Sequence, residues 1–193
     1  MQAATPSPDA DKPTWRNHFK SRLAAAPATA ADSGALRALL AGLLRDRPPS
    51  RIAAFAALPG EPEVVELLET LPDHRWFFPR VDRRTMTFHP LREAAELVPG
   101  NFGIPEPPGD GEPLPVRDLD LVLCPGLGFG RDGSRLGRGG GYYDRVLAAC
   151  RADTEIIGIA FEPQIADRVP VEPHDIPLDR IATPGGWIDI ARP

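Results

Sequence analysis

Between Pro125 and Gly141 the chain sets eight glycines and three arginines, Arg131, Arg135 and Arg138, in 17 residues without a single lysine. An apolar run ending at Cys124-Pro125 precedes this stretch, and Tyr142-Tyr143-Asp144 opens a new amphipathic segment after it. Glycine loses more backbone entropy on folding than any other residue, so such a loop is costly to order unless close backbone approach or positive φ is needed. Backbone amides, guanidinium groups and a carboxylate at a strand end are the parts of a phosphate and magnesium site. Arg135 and Arg138 suit bidentate phosphate contacts, and Asp144 offers a hard oxygen.

Gly128 to Gly133 also spells GxGxxG after a strand, but Ser134 to Gly141 has four glycines in eight residues and cannot open the helix that a dinucleotide fingerprint requires. A Walker loop is absent. Lys12, Arg16 and Lys20 form a cationic stripe near a helix start, where they oppose the helix dipole; either a polyphosphate or nearby acidic side chains would compensate. Glu61 follows a strand in Leu-Pro-Gly-Glu, and by itself reads as a first-turn helix carboxylate. His174-Asp175 sits among prolines and by itself reads as a solvated loop.

These groups need a scaffold. A chain of 193 residues, 42% hydrophobic and 25% charged, can build one domain with a real core. The net charge of −5 argues against a general nucleic-acid binder. Cys124 and Cys150 match no CxxC motif and lie in apolar runs, so buried free thiols are expected. Neither a secretory signal nor an apolar run long enough for a membrane span is found, which makes the cytoplasm the expected location.

Met1 to Asp11 reads as a flexible tail and residues 12–193 as one domain. A helix begins near Pro13, with Trp15, Phe19 and Leu23 on one stripe. Ser33 is the expected cap of a second helix that Pro48-Pro49 stops. A strand is expected over Arg51 to Leu58, then a helix carrying Val64 to Leu71. Strands over Trp76 to Val81 and Thr85 to Leu91 pair through Asp82-Arg83-Arg84. Residues 98–117, dense in proline and glycine, read as a long loop. Leu119 to Cys124 and Glu155 to Phe161 read as strands, with Tyr142 to Arg151 a helix between them. A short helical turn near Gln164 and a proline-spaced tail complete the chain. This rhythm predicts an α/β fold with a mostly parallel sheet, and ligands then bind beyond the strands' carboxyl ends.

Taken together these residues resemble the 5-formyltetrahydrofolate cyclo-ligase family. Lys12-Pro-Thr-Trp-Arg16 looks like its N-terminal KxxxR, and Ala57-Leu-Pro-Gly-Glu61 like its strand-end glutamate segment. Asp120 to Asp144 is similar to its signature PGxxFxxxGxRLGxGxGYYD almost letter for letter, and Ala160 to Gln164 and Val169 to Asp175 are similar to its late blocks. The resemblance implies a three-layer α/β domain of the NagB/RpiA/CoA-transferase-like group. It implies ATP- and Mg²⁺-dependent cyclisation of 5-formyltetrahydrofolate to the 5,10-methenyl form through a phosphorylated formyl group. By resemblance, Lys12, Arg16, Gly133, Arg135, Leu136, Gly137, Arg138, Gly139, Gly140, Gly141 and Tyr142 would contact ATP. Glu61, Phe102, Gly139 and Tyr143 would contact folate, with Phe102 standing where some members carry tryptophan. Arg135, Arg138 and Tyr143 would be catalytic, and Asp144 and Asp175 would hold the Mg²⁺. A monomer is expected. The competing readings are a non-catalytic folate- or nucleotide-binding module, and a different ATP-dependent ligase or kinase for a small acid.

Overall fold

The computed structural model describes residues 5–7 and 9–190, the side chain of Phe102 excepted. Helix α1 spans Lys12–Ala25 and α2 Ala30–Arg45, followed by β1 at Arg51–Ala53 and a single helical turn, α3, at Leu67–Thr70. Strands β2 (Arg75–Asp82) and β3 (Thr85–Leu91) come next, then the short β4 (Val98–Pro99) and β5 (Pro105–Glu106). Strand β6 is Leu121–Cys124, β7 Gly128–Gly130 and β8 Arg135–Leu136, before α4 at Tyr142–Leu147. The chain closes with β9 (Glu155–Ile159), β10 (Ile165–Ala166), β11 (Arg180–Thr183) and β12 (Gly186–Asp189).

The main sheet runs β12-β11-β9-β6-β1-β2-β3. Its five central strands are parallel, and β3 and β12 pair antiparallel at the two edges. Alternate residues of β6 face opposite cores: Leu121 and Leu123 meet α2 and α3 residues, whereas Val122 and Cys124 meet Val146 and Leu147 of α4. Both faces being covered, all four β6 residues are buried, as a central parallel strand requires. A second, small sheet, β10-β7-β8, lies with α4 on that latter side. Trp15 and Phe19 of α1 pack with Leu136 and Val169. The result is the expected three-layer α/β domain.

From β1 the chain passes to β2 on one side and later returns to β6 on the other. The carboxyl ends of β1 and β6 therefore flank a topological switch point, where open α/β sheets bind ligands. Leu58 to Glu61 leaves one end and Pro125-Gly126 the other.

Several boundaries differ from the sequence reading. Thr29, not Ser33, caps α2, in a reciprocal capping box with Asp32; Ser33 is buried and accepts from the Glu63 amide at 3.2 Å. Only Arg51–Ala53 of the expected strand pairs regularly, although Ala54 N–H still donates to Phe77 O at 2.9 Å. The helix expected around Val64 to Leu71 shrinks to α3; Val64 and Val65 are buried in the core and their carbonyls accept only the i+3 turn bonds from Leu67 and Leu68 N–H, both at 3.1 Å. Helix α4 stops at Leu147, short of Arg151. The proline-spaced tail hides β11 and β12, and the long loop hides the β4–β5 pair; strands of two to four residues are too short to give a period. Cys124 is buried and free, whereas Cys150 is only half-buried.

Candidate active site

Much of the glycine-rich stretch is sheet rather than loop. β7 and β8 pair antiparallel, with Gly128 opposite Leu136 and Phe129 opposite Arg135. Gly128 has a packing reason: a Cβ there would lie 2.0 Å from the Phe19 ring. Its glycine lets α1 dock on β7, so the GxGxxG pattern is not a nucleotide turn. Gly133 adopts φ 87° in the hairpin turn, where its carbonyl accepts from Leu178 N–H at 2.9 Å. That turn lines neither of the two cavities described next, so Gly133 stands apart from the other expected ATP contacts.

Past β8, Gly137 to Gly141 runs between two hollows. One, of about 140 Å³, is walled by Phe55, Leu58, Pro79, Val81, Met86 and Ile104, with Glu61, Glu106, Arg138 and Tyr143 among its polar groups alongside the glycine segment. The other, of about 330 Å³, is lined by Lys12, Arg16, Asp144, Glu172, His174 and Asp175. Arg135, Gly137, Gly139, Gly141 and Asp144 belong to both walls. Gly139 and Gly141 adopt φ of 106° and 65°, a left-handed path that carries the backbone between the hollows and into α4. Gly140 and Tyr142 line the first hollow, and the Tyr142 hydroxyl donates to Arg83 O at 2.8 Å, tying α4 to the β2–β3 turn. Leu136 lines the second.

Ion pairs organise the charges. Arg135 is buried; it donates to Pro125 O at 3.1 Å, pairs with Asp144 and stands 5.7 Å over the Tyr143 ring. The Tyr143 hydroxyl is buried without a hydrogen-bond partner among the described residues, and burial above all, with the nearby Cys124 and Glu61, drives its pKa well above the usual 10.0. It is therefore a protonated donor at neutral pH. Arg138 Nε donates to Glu61 Oε1 at 2.8 Å, while Glu61 Oε2 accepts from Leu58 N–H at 3.0 Å. This overturns the first-turn reading of Glu61, since the helix that follows β1 begins only at Leu67 and the carboxylate folds back on its own strand end.

Asp11 caps α1 by accepting from Thr14 N–H at 2.9 Å, which offsets the cations in its first turns. Lys12 Nζ lies 2.9 Å from both Glu172 and Asp175. Burial lowers the Lys12 pKa, but the two carboxylates outweigh it and the net shift is upward. Arg16 Nε donates to Gly137 O at 2.9 Å, whereas Lys20 is exposed and lines neither hollow. The stripe thus divides: two cations face the glycine segment and one faces solvent.

Asp175 is no solvated loop residue, its side chain being only 9% exposed. Burial tends to raise its pKa, but the hydrogen bond from Lys12, the Glu172 amide and the charges of Lys12 and His174 bring it below 3.8. Donor atoms of Glu172, His174 and Asp175 lie within 4.8 Å of one another, and Asp144 lines the same hollow. Hard carboxylate oxygens beside room for phosphate suit Mg²⁺, which takes one or two carboxylates and completes its shell with phosphate and water. Glu172 was missed in the sequence. Its signal was the spacing to Asp175, whose Oδ2 accepts the Glu172 amide at 2.7 Å. The aliphatic wall of the first hollow was missed as well, because it comes from four separate segments.

Fold and site together define a three-layer α/β protein that sets a charged hollow and a largely apolar one side by side at the switch point of its sheet. Among the described residues no helix is long and apolar enough to cross a membrane. The chain belongs to the 5-formyltetrahydrofolate cyclo-ligase family, whose model matches residues 8–184, and is accordingly an enzyme of the ligase class. It is 33% identical over 163 residues to the 5-formyltetrahydrofolate cyclo-ligase of Mycolicibacterium smegmatis, covering 79% of this chain and 82% of the relative. The Escherichia coli K12 cyclo-ligase is 34% identical over 143 residues, covering 69% and 77%. Among solved structures, the 5,10-methenyltetrahydrofolate synthetase of Aquifex aeolicus superposes with a TM-score of 0.80 at 27% identity, covering 94% of both chains. That of Mycoplasma pneumoniae gives 0.72 at 25%, covering 91% of this chain and 99% of that one.

Proposed function

We propose that the enzyme uses ATP to cyclise 5-formyltetrahydrofolate to 5,10-methenyltetrahydrofolate, releasing ADP and phosphate. The observation that carries this reading is the glycine segment 137–141, which forms a shared wall between a hollow lined by both cations and carboxylates and a largely apolar one. A triphosphate in the first and a pterin in the second would meet across it.

A formyl oxygen is a weak nucleophile, and hydroxide is a poor leaving group. Attack of that oxygen on the γ-phosphorus expels ADP and converts the oxygen into part of a phosphate ester. The 10-nitrogen then adds to the activated carbon and loses its proton, and phosphate departs with the C–O bond. In this reading Lys12 and Arg16 hold the phosphates, and Arg135 and Arg138 neutralise charge on the transferred group; positioning and electrostatics dominate such transfers. Mg²⁺, when bound, would neutralise phosphate charge, with Asp144 and Asp175 as its protein ligands. Glu61 orients the pterin, and the Tyr143 hydroxyl, which no described residue engages, donates to substrate.

The test is purified protein with 5-formyltetrahydrofolate, Mg²⁺ and ATP, following the methenyl chromophore. Absence of product, with the folate verified by a control enzyme, would sink the assignment. Folate or nucleotide binding without ADP release would instead identify a binding module.

A further inference from the structure

The mechanism leaves one buried carboxylate unused. Glu106, only 4% exposed, lines the apolar hollow from β5. Its Oε1 accepts from Val81 N–H of β2 at 3.1 Å and from Asn101 N–H at 3.3 Å. Its Oε2 stands 4.0 Å from the Arg80 guanidinium, which also donates to Pro107 O. Gly100 presses so closely on this carboxylate that a Cβ would sit 2.3 Å from Glu106 Cγ.

Apolar contact between the β4–β5 segment and the main core comes from Leu97 and Ile104, both only partly buried. Val98 is 42% exposed, and both β4 residues face solvent. Gly100 N–H donates to Ile104 O at 3.1 Å, which closes the turn but fastens it to nothing outside. Polar anchorage to the end of β2 comes from the Asn101 side-chain amide donating to Val81 O, the Arg80 bond to Pro107 O and the Val81 N–H bond to Glu106, while the Asn101 N–H bond to Glu106 braces the hairpin internally. Ile104, between Asn101 and Glu106, forms part of the wall of the hollow.

We propose that Glu106 is a positioning residue for folate: it clamps the 98–106 hairpin to β2 and so holds the Ile104 wall of the apolar hollow in place. A buried carboxylate that accepts two amides is costly to remove, since both donors lose their partner together. Folate contacts made by a wall act equally on ground and transition states, so their loss raises KM without lowering kcat. The inference rests on the folate assignment of that hollow.

The experiment compares Glu106→Ala, Glu106→Gln and Gly100→Ala with the wild type. In Glu106→Ala, KM for 5-formyltetrahydrofolate should rise about tenfold or more, with kcat and KM for ATP within about twofold. Amide hydrogen exchange should quicken over residues 98–106 and not over 133–144. Glu106→Gln keeps an acceptor oxygen and should recover most of the folate KM. Gly100→Ala displaces an intact Glu106, so it should reproduce the alanine phenotype even where Glu106→Ala folds poorly. Unchanged folate KM, a joint rise in both KM values, a fall in kcat alone, or a glutamine variant as impaired as alanine would each overturn the role. A wild type that binds folate without turning it over fails the proposed reaction, not this inference, which folate dissociation constants of the same variants then decide.

Discussion

Arg138 and Glu61, 77 residues apart in sequence, join the glycine segment to the end of β1 through a 2.8 Å hydrogen bond. The Glu61 side chain is 5% exposed and the Arg138 side chain 37% exposed, so the pair lies on the wall of the apolar hollow with the cation the more outward partner. Each candidate cation of the site except Arg16 is met by a carboxylate: Lys12 by Glu172 and Asp175, Arg135 by Asp144, Arg138 by Glu61. Phosphate and Mg²⁺ together would exchange these partners without leaving a bare charge.

Arg138→Gln should therefore separate function from stability. A partly exposed pair is worth about 0–1 kcal/mol, so the melting temperature should move by only a few degrees. Turnover should fall about 10²-fold if the guanidinium acts on the transferred phosphoryl group. Steady-state kinetics beside a thermal melt decide this; full activity would remove Arg138 from the chemistry.

Arg135 demands a gentler change. It is buried and holds the Pro125 carbonyl, so Arg135→Ala leaves that acceptor unsatisfied at about 1–3 kcal/mol. Arg135→Lys retains the charge but cannot reach Pro125 O and Asp144 with one planar fork. We expect about 10²–10³-fold lower kcat in the lysine variant with cooperative unfolding preserved. Wild-type turnover in that variant would deny Arg135 its catalytic part.

Gly128→Ala should loosen α1. The added methyl collides with the Phe19 ring, and overpacking of this kind costs about 1–3 kcal/mol. Because Lys12 and Arg16 ride on α1, KM for ATP should rise along with the drop in urea midpoint. A midpoint matching the wild type would mean that the ring has room to move.

The fold should weaken in acid for a defined reason. Asp120 accepts from Arg51 N–H at 2.8 Å and from Arg151 at 3.2 Å, bridging the starts of β1 and β6. Burial tends to raise its pKa, yet the Arg51 amide and the Arg151 and Arg51 charges carry it below 3.8. A carboxylate with a depressed folded pKa contributes stability above its unfolded pKa, and that contribution is lost as pH falls through the folded value. Asp120→Asn should thus be less stable than wild type at pH 7 and indistinguishable from it well below pH 3.8. Melting curves across that range check the sign; a gap that persists in acid would contradict it.

The two thiols should differ. Burial pushes Cys124 up to about 11, while Cys150 is half-buried and shifted upward as well. Alkylation of the native protein at pH 8, read by mass spectrometry, should label Cys150 first and leave Cys124 untouched until unfolding. Early labelling of Cys124 would mean that the sheet opens near the site.

Local chemistry determined what the sequence alone could determine. Periodic runs marked α1, α2, β2 and β3, continuous apolar runs marked β6 and β9, and the cluster Arg135 to Asp144 marked the candidate site, because covalent spacing already gathers those groups. Tertiary structure decided the rest. Short strands such as β8 and β11 exist only because a neighbouring backbone is there to bond, and no sequence period reports that. Glu61 looked like a helix carboxylate until Arg138 claimed it, and only the Phe19 ring lying against Gly128 shows why a glycine stands there. Glu106 carried no motif; its importance arises from two amides, at positions 81 and 101, that meet one oxygen only in three dimensions.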